Sequence, residues 1–236
     1  MILNDVSGVV IARAVDYSTR EKVKMDVPLL RVLALNAIMD SIDKVRKYAD
    51  EVVLCIDAKN YWRKDVFPLY KANRAASQKK DPFDWDALHA AFNVVKEEFK
   101  ANLPYKYVEV DRAEADDVIS VLALTMAPHR DVVIVSNDND FLQLQSINPK
   151  IKQYSLKHNK FITPANSAYS LLEHVIKGDS GDGVPNIFSD EDTFMVQHKR
   201  QKNVYNADLL EWAKTGLHRP EVFCTTPEIR ARFETN

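Results

Sequence analysis

Asp179 and Asp182 stand three residues apart in "KGDSGDGVP", among Gly178, Gly181 and Gly183, three of only five glycines in the chain. Asp138 and Asp140 close "SNDND". Glu114, Asp116 and Asp117 belong to "EADD", Asp57 ends "VVLCID", and Asp5 follows the apolar stub "MIL". Carboxylates gathered in one place raise one another's pKa unless a cation lies among them. An all-oxygen ligand set suits Mg²⁺ or Mn²⁺, and no His/Cys cluster competes for zinc. Two such ions about 4 Å apart form a common apparatus for phosphodiester cleavage.

Each acid also has a plainer reading. Asp111 with Glu114 fits an N-cap and N3 pair, and acids in a first helical turn complement the dipole. Asp138 and Asp140 suit a turn, and Asp57 suits a loop or cap. Gly178 suits a helix C-cap. Asp5 is the least anchored, because "VVIARAV" could itself be the first strand. The combination outweighs its parts, since independent caps would not follow nearly every strand.

The elements that must position these acids are legible. Residues 52–57, 106–110, 131–136 and 151–155 read as strands, and 29–49, 84–101, 113–127 and 165–177 carry apolar residues at helical spacing. Strands alternating with helices predict an α/β fold with a mostly parallel central sheet flanked by helices. Sites in such sheets lie beyond the carboxyl ends of the strands, where these acids fall. After about residue 188 the pattern weakens.

The chain has 236 residues, 46% hydrophobic and 28% charged, with a formal net charge of −2. Total charge therefore announces no nucleic-acid binder. The distribution is uneven, however. Seven basic residues and one acid lie between Lys59 and Lys80, and eight acids and three basic residues between Lys106 and Asp140. Two cysteines, Cys55 and Cys224, carry no CxxC pattern and suit a reducing compartment. The apolar N-terminus lacks a basic lead-in and cleavage site, so no signal peptide is expected, and no run is long enough to cross a membrane.

"EADD", "SNDND" with Phe141, Gln143 and Leu144, and "KGDSGDGVP" resemble the signature blocks of the 5′→3′ exonuclease and flap endonuclease superfamily. "VVLCIDAKNYWRKDVFPLYKANR" resembles its phage branch, typified by the ribonuclease H of T-even phages. The resemblance implies a PIN-like 5′ nuclease core in residues 1–177, with a basic helical arch or clamp over about 59–100. Residues 178–236 would form a C-terminal helical DNA-binding region, helix–two-turn–helix-like. It implies two Mg²⁺ ions, replaceable by Mn²⁺, held by Asp5, Asp57, Glu114, Asp116, Asp117, Asp138, Asp140, Asp179 and Asp182. The first ion is expected nearer Asp57, Glu114 and Asp116, the second nearer Asp140, Asp179 and Asp182. The glycines would let a tight loop deliver Asp179 and Asp182, and Gly181 and Gly183 would present backbone to a phosphate strand.

"YKANR" matches the family's arch segment, where the residue corresponding to Lys71 contacts the scissile phosphate and those at Arg74 and Tyr70 assist. If the segment is helical, Lys71 and Arg74 share a face. Tyr70 would stack on an unpaired base, and Arg63, Lys64, Lys79 and Lys80 would track the backbone electrostatically. The plainer reading is a solvated charged segment with Tyr70 in the core; Trp62 and Trp85 read as packing residues. The substrates implied are DNA and RNA–DNA hybrids with 5′ flaps, forks or nicks, cut by a monomer in the host cytoplasm, with a sliding clamp and a single-strand-binding protein as partners.

The pattern departs from the family at "NIFSDEDTFMVQHKRQK", which replaces a glycine- and lysine-rich duplex clamp, so a K⁺ site is not carried over. The chain ends at "RFETN", earlier than is usual in that branch, which raises the expectation of an absent C-terminal segment. Three rivals stand beside the nuclease. A PIN-type endoribonuclease would lack "GDSGDGVP", a non-catalytic DNA-binding protein would not need the acid set, and a receiver domain would leave "DND" and "GDSGD" unexplained.

Overall fold

The apolar runs assemble into one six-stranded sheet of order β3-β2-β1-β4-β5-β6 in a computed structural model that describes residues 1–164, 167–215 and 220–235. The strands are β1 (Ile2–Asp5), β2 (Val52–Ile56), β3 (Lys106–Glu109), β4 (Val132–Val135), β5 (Ile151–Ser155) and β6 (Lys160–Ile162). The helices, in chain order, are α1 (Val6–Glu21), α2 (Val27–Val45), α3 (Arg63–Val66), α4 (Ala72–Gln78), α5 (Trp85–Asn102), α6 (Ala115–Met126), α7 (Leu142–Ile147), α8 (Ser167–Lys177), α9 (Asn206–Thr215) and α10 (Pro227–Thr235). The chain divides into two compact units: Met1–Tyr61 with Pro82–Pro164, and Trp62–Asp81 with Ala165–Asn236.

The first unit holds the sheet. Five strands run parallel and β6 is antiparallel to β5. Both faces are covered, so alternate side chains of one strand enter different cores. Ile2, Val52, Leu54, Ile56, Val133 and Val135 pack with α1, α2 and α5. Leu3, Val53, Cys55, Val132 and Ile134 pack with α6 and α7. Strand order reverses between β1 and β4, which marks the crevice where ligands of such sheets bind.

Four of the expected strands appear at their expected places. The N-terminal alternative does not survive: residues 9–15 are helix, not strand. Val and Ile favour strands locally, but Val6, Val9, Val10 and Ala14 recur at helical spacing and are buried, and packing prevails. Asp5 therefore ends β1 instead of preceding it. The helix expected over 29–49 gives way after Val45 to a 3₁₀ turn at Arg46–Tyr48. Of the helix expected over 165–177, Ser167–Lys177 forms α8, and residues 165 and 166 lie outside the described residues. Residues 85–100, expected within an arch, form α5, a core helix that buries Leu88, Ala91, Val95 and Phe99.

The second unit has its own core, in which Leu172, Ile176, Ile187, Leu209 and Phe223 are buried. Rings step through it from Phe188 to Trp212 to Phe223 to Phe233, with centroids 5.9, 5.6 and 5.1 Å apart. Between α8 and α9, residues 178–205 run as turns and bends, knitted by Asn186. Its amide donates to Lys202 O at 2.7 Å, and its carbonyl accepts from the Ser189 hydroxyl at 2.8 Å. Residues 216–219 and 236 of the expected C-terminal region lie outside the described residues. No helix of the described residues is long and apolar enough to cross a membrane.

Candidate metal centre and phosphate-binding arm

In the first unit the candidate acids sit where chain direction places them. Asp5 is both the last residue of β1 and the N-cap of α1. Its Oδ1 accepts from Gly8 N at 2.9 Å and its Oδ2 from the Ser136 hydroxyl at 2.9 Å. Asp57 follows β2, and its Oδ1 accepts from Ala115 N at 2.8 Å. That bond ties the end of β2 to the start of α6. Glu114 is buried and caps α6, with Asp117 at N3 closing the box through a 3.0 Å bond from Glu114 N to Asp117 Oδ2. The expected cap at Asp111 is thus displaced to Glu114. Asp116 is half-buried in the same first turn. Asp138 caps the 3₁₀ turn Asn139–Phe141, its Oδ1 accepting from Asp140 N at 2.9 Å.

Electrostatics identify the crowded point. The Asp5 carboxyl, ordinarily near 3.8, is pushed up to about 6. Desolvation is the largest cause, and the negative charges of Asp57 and Asp138 add to it against the hydrogen bonds from Gly8 and Ser136. A cation would relieve the same repulsion, and every donor is an oxygen, so the residues fit a hard divalent ion. As the side chains stand, no three His, Cys, Asp or Glu of the described residues close around one point tightly enough to hold a metal. The acids instead engage backbone N–H groups and a hydroxyl. A separate cavity of about 570 Å³, lined by Arg46, Glu51, Lys106 and Arg130 among others, lies at the amino ends of β2 and β3, away from the acids.

Ser136 was not singled out from sequence. It ends the β4 run, donates to Asp5 and accepts from Asp138 N at 3.1 Å. The signal was a hydroxyl directly after four buried apolar residues.

The second unit brings together the basic segment and the glycine-rich loop. Gly178, with φ +64°, follows α8, and a Cβ there would lie 2.4 Å from Val184 O. The helix-cap and loop-turning readings of Gly178 therefore hold together. Asp179 Oδ1 accepts from Gly181 N at 2.7 Å and from Asp182 N at 3.2 Å, which curls the loop. The curled loop docks on the 69–74 segment. Lys71 N donates to Asp182 O at 2.7 Å, Asn73 Nδ2 to Ser180 O at 2.7 Å and Arg74 Nε to Gly181 O at 3.0 Å. The Asp182 carboxylate receives the Tyr70 hydroxyl at 2.7 Å, the Lys71 ammonium at 3.7 Å and the Arg74 guanidinium.

Four expectations change here. Lys71 and Arg74 do not share one helix. Lys71 caps α4 from outside it, in the left-handed region at φ 59°, which is rare for lysine. Tyr70 is only 7% exposed, with the Lys71 ammonium 5.0 Å and the Arg63 guanidinium 5.9 Å from its ring centroid. Its ring is a packing element with no open face for a base. Gly183, at φ +76°, is buried with a would-be Cβ 2.8 Å from Asn73 Oδ1, so it serves close approach to the arm, not a strand of phosphates. Gly181 is exposed, as are Lys64, Lys79 and Lys80, while Arg63 is half-buried. Trp62, expected to pack, is 44% exposed, with the Arg63 guanidinium 4.8 Å from its ring. Trp85 does pack, edge-on to Phe83.

A mostly parallel sheet with carboxylates after β1, β2 and β4 and at the head of α6 defines a PIN-like, resolvase-type α/β domain. The family model for the 5′-3′ exonuclease N-terminal resolvase-like domain matches residues 17–171, and the chain belongs to that family. It is 33% identical over 193 residues to the ribonuclease H of Enterobacteria phage T4, across 78% of this chain and 62% of that protein. It is 26% identical over 185 residues to a 5′-3′ exonuclease of Buchnera aphidicola, across 73% of this chain and 61% of that protein. The chain thus spans less than two thirds of the length of both relatives. Among solved structures, the fold resembles a phage T5 flap endonuclease complexed with DNA and metal ions, with a TM-score of 0.71 at 13% identity, covering 99% of this chain and 84% of that one. A zinc-bound form of T5 5′-exonuclease gives a TM-score of 0.68 at 14% identity, covering 100% of this chain and 84% of that one.

Proposed function

We propose that the protein is a divalent-metal-dependent 5′→3′ nuclease with flap endonuclease activity, which removes RNA primers and 5′ flaps during phage replication. The observation that carries the reading is the crowding at Asp5, whose carboxyl rises to about 6 under burial and the charges of Asp57 and Asp138. An acid set that repels DNA as well as itself is understandable when it serves a cation. Asp5, Asp57, Glu114, Asp116, Asp117, Asp138 and Asp140 would hold Mg²⁺, with Mn²⁺ as substitute. The assignment of Asp179 and Asp182 to a second ion rests on the sequence resemblance. The ions, when bound, would supply charge neutralisation at the phosphate and activation of water.

The remaining work falls to the chain's own cations. Lys71 and Arg74 would steady the scissile phosphate and the charge that develops on it. Arg63, Lys64, Lys79 and Lys80 would attract the backbone through a salt-sensitive field. The products would carry a 5′-phosphate and a 3′-hydroxyl. Substrates would be DNA and RNA–DNA hybrids with flaps, forks or nicks, met in the host cytoplasm by a monomer working beside a sliding clamp and a single-strand-binding protein.

The test is a 5′-labelled flap duplex incubated in Mg²⁺ or in EDTA, beside a blunt duplex and a free single strand. Mg²⁺-dependent cutting near the junction or from the 5′ end is expected, and Asp140→Asn should abolish cutting while sparing binding. Tight binding without cutting in Mg²⁺ or Mn²⁺ would replace the enzyme with a structure-specific binding protein.

A further inference from the structure

The loop that carries Asp138 and Asp140 is held from beneath by one buried amide. Gln153, on β5, is 0% exposed and stands in phase with the core residue Ile151. Its Nε2 donates to two backbone carbonyls, Ser136 O at 3.1 Å and Asp138 O at 2.5 Å, on either side of Asn137. Its Oε1 has no hydrogen-bond partner among the described residues. The unpaired acceptor costs stability, and an apolar side chain of the same shape would in turn leave the Ser136 and Asp138 carbonyls without these donors. What glutamine adds is the pair of donated bonds.

A second anchor acts on the same loop. Asn137 Oδ1 accepts from the Ser155 hydroxyl at 2.9 Å and from Lys157 N at 2.9 Å. The loop is in turn joined to Asp5, because the Ser136 residue whose carbonyl Gln153 holds also donates its hydroxyl to Asp5 Oδ2 at 2.9 Å. Displacing the backbone at Ser136 would move Asp138, Asp140 and the hydrogen bond on Asp5 together.

We infer that Gln153 and Asn137 are a positioning pair that sets the Asp138–Asp140 loop for a divalent cation. The inference deepens the nuclease reading and rests on it. Groups that orient metal ligands without touching the metal typically change its affinity 10–100-fold when removed. Neither residue carries charge to the ion; both act through backbone placement.

The test titrates Mn²⁺ into the full chain and reads free Mn²⁺ by electron paramagnetic resonance, for the wild type, Gln153→Met and Asn137→Ala. Thermal unfolding without metal and the Mn²⁺ dependence of flap cutting are recorded alongside. Gln153→Met should stay folded though it unfolds below the wild type, since two carbonyls lose their donor, bind Mn²⁺ roughly tenfold more weakly, and keep its KM for the flap at saturating Mn²⁺. A folded Gln153→Met variant with wild-type Mn²⁺ affinity overturns the inference. Should that variant not fold, Asn137→Ala decides, since Asn137 is exposed: weaker Mn²⁺ binding sustains loop anchoring, and unchanged binding overturns it. A wild type that binds no Mn²⁺ overturns the metal-nuclease reading, and the inference with it.

Discussion

The Tyr70 hydroxyl donates to Asp182 Oδ2 at 2.7 Å, across 112 residues of sequence. Arg74 takes the other carboxylate oxygen, and the Lys71 ammonium stands 3.7 Å away. A residue expected to stack on a base thus organises a carboxylate, and an acid expected at a metal is shared by two cations. Tyr70→Phe keeps the ring and its cations but removes one charge-assisted bond. It should lower stability by about 1–3 kcal/mol in urea unfolding. A variant as stable as the wild type would show that Asp182 does not depend on this hydroxyl.

Arg74 and Asp182 invite a double-mutant cycle. Arg74 is 51% exposed in this pair, so solvent screens it. Arg74→Ala, Asp182→Ala and the double variant should give a coupling of about 1 kcal/mol or less, shrinking as salt rises. A coupling several times larger, insensitive to salt, would mean that the pair is shielded from solvent in solution.

Gly8 offers a clean separation of stability from site geometry. A Cβ at this position would lie 2.4 Å from Asp5 Oδ2, so Gly8→Ala must push the carboxylate from its place. Yet Gly8 is inside α1, where alanine is favoured over glycine by about 1 kcal/mol. Losing the Asp5 cap to Gly8 N offsets that gain, so the variant should unfold within a few degrees of the wild type while the proposed flap cutting slows at least tenfold. Equal activity would mean that the Asp5 carboxylate can move without consequence.

Asp5 also predicts a pH dependence in metal-free protein. Its carboxyl lies at about 6 in the fold against an ordinary 3.8, so the folded state holds its proton more tightly than the unfolded chain. Its contribution is most favourable below about pH 4 and is lost as pH rises through 6. The loss is of order 2–3 kcal/mol at most. Asp5→Asn should remove this slope, making the metal-free variant more stable than wild type at pH 7 but not at pH 4. Parallel stability curves for the two proteins from pH 4 to 7 would refute the desolvated, crowded state of the Asp5 carboxyl.

Cys55 gives a test of the sheet interior. Burial pushes its thiol up to about 12, with the Asp5 charge adding to the effect. At pH 8 its thiolate is on the order of one part in ten thousand, and the thiolate is the reactive form. Native protein should leave Cys55 unmodified by a thiol reagent, with reaction only on unfolding. Rapid native labelling, located by peptide mapping, would place β2 outside the core.

The central strands were readable because a sheet covered on both faces makes continuous apolar runs, as in "VVLCI" and "VVIV". The acids followed, since a parallel sheet sends its carboxyl ends to one edge. The first helix was less readable. Its Val and Ile content favours a strand, and only the burial of Val6, Val9, Val10 and Ala14 together selects the helix. Gln153 was visible as a polar residue in a strand, but nothing in the spacing says which carbonyls it reaches.

The sequence by itself determined the parallel sheet, the acids that follow β2 and β4 and the family, because these depend on local periodicity and short motifs. Only the tertiary structure decided what those side chains touch. It turned Lys71 left-handed outside α4, buried Tyr70 against Asp182, and hung the Asp138–Asp140 loop from Gln153. Such contacts join residues far apart in the chain, where local patterns carry no information and the balance of packing, desolvation and hydrogen bonding chooses the partner.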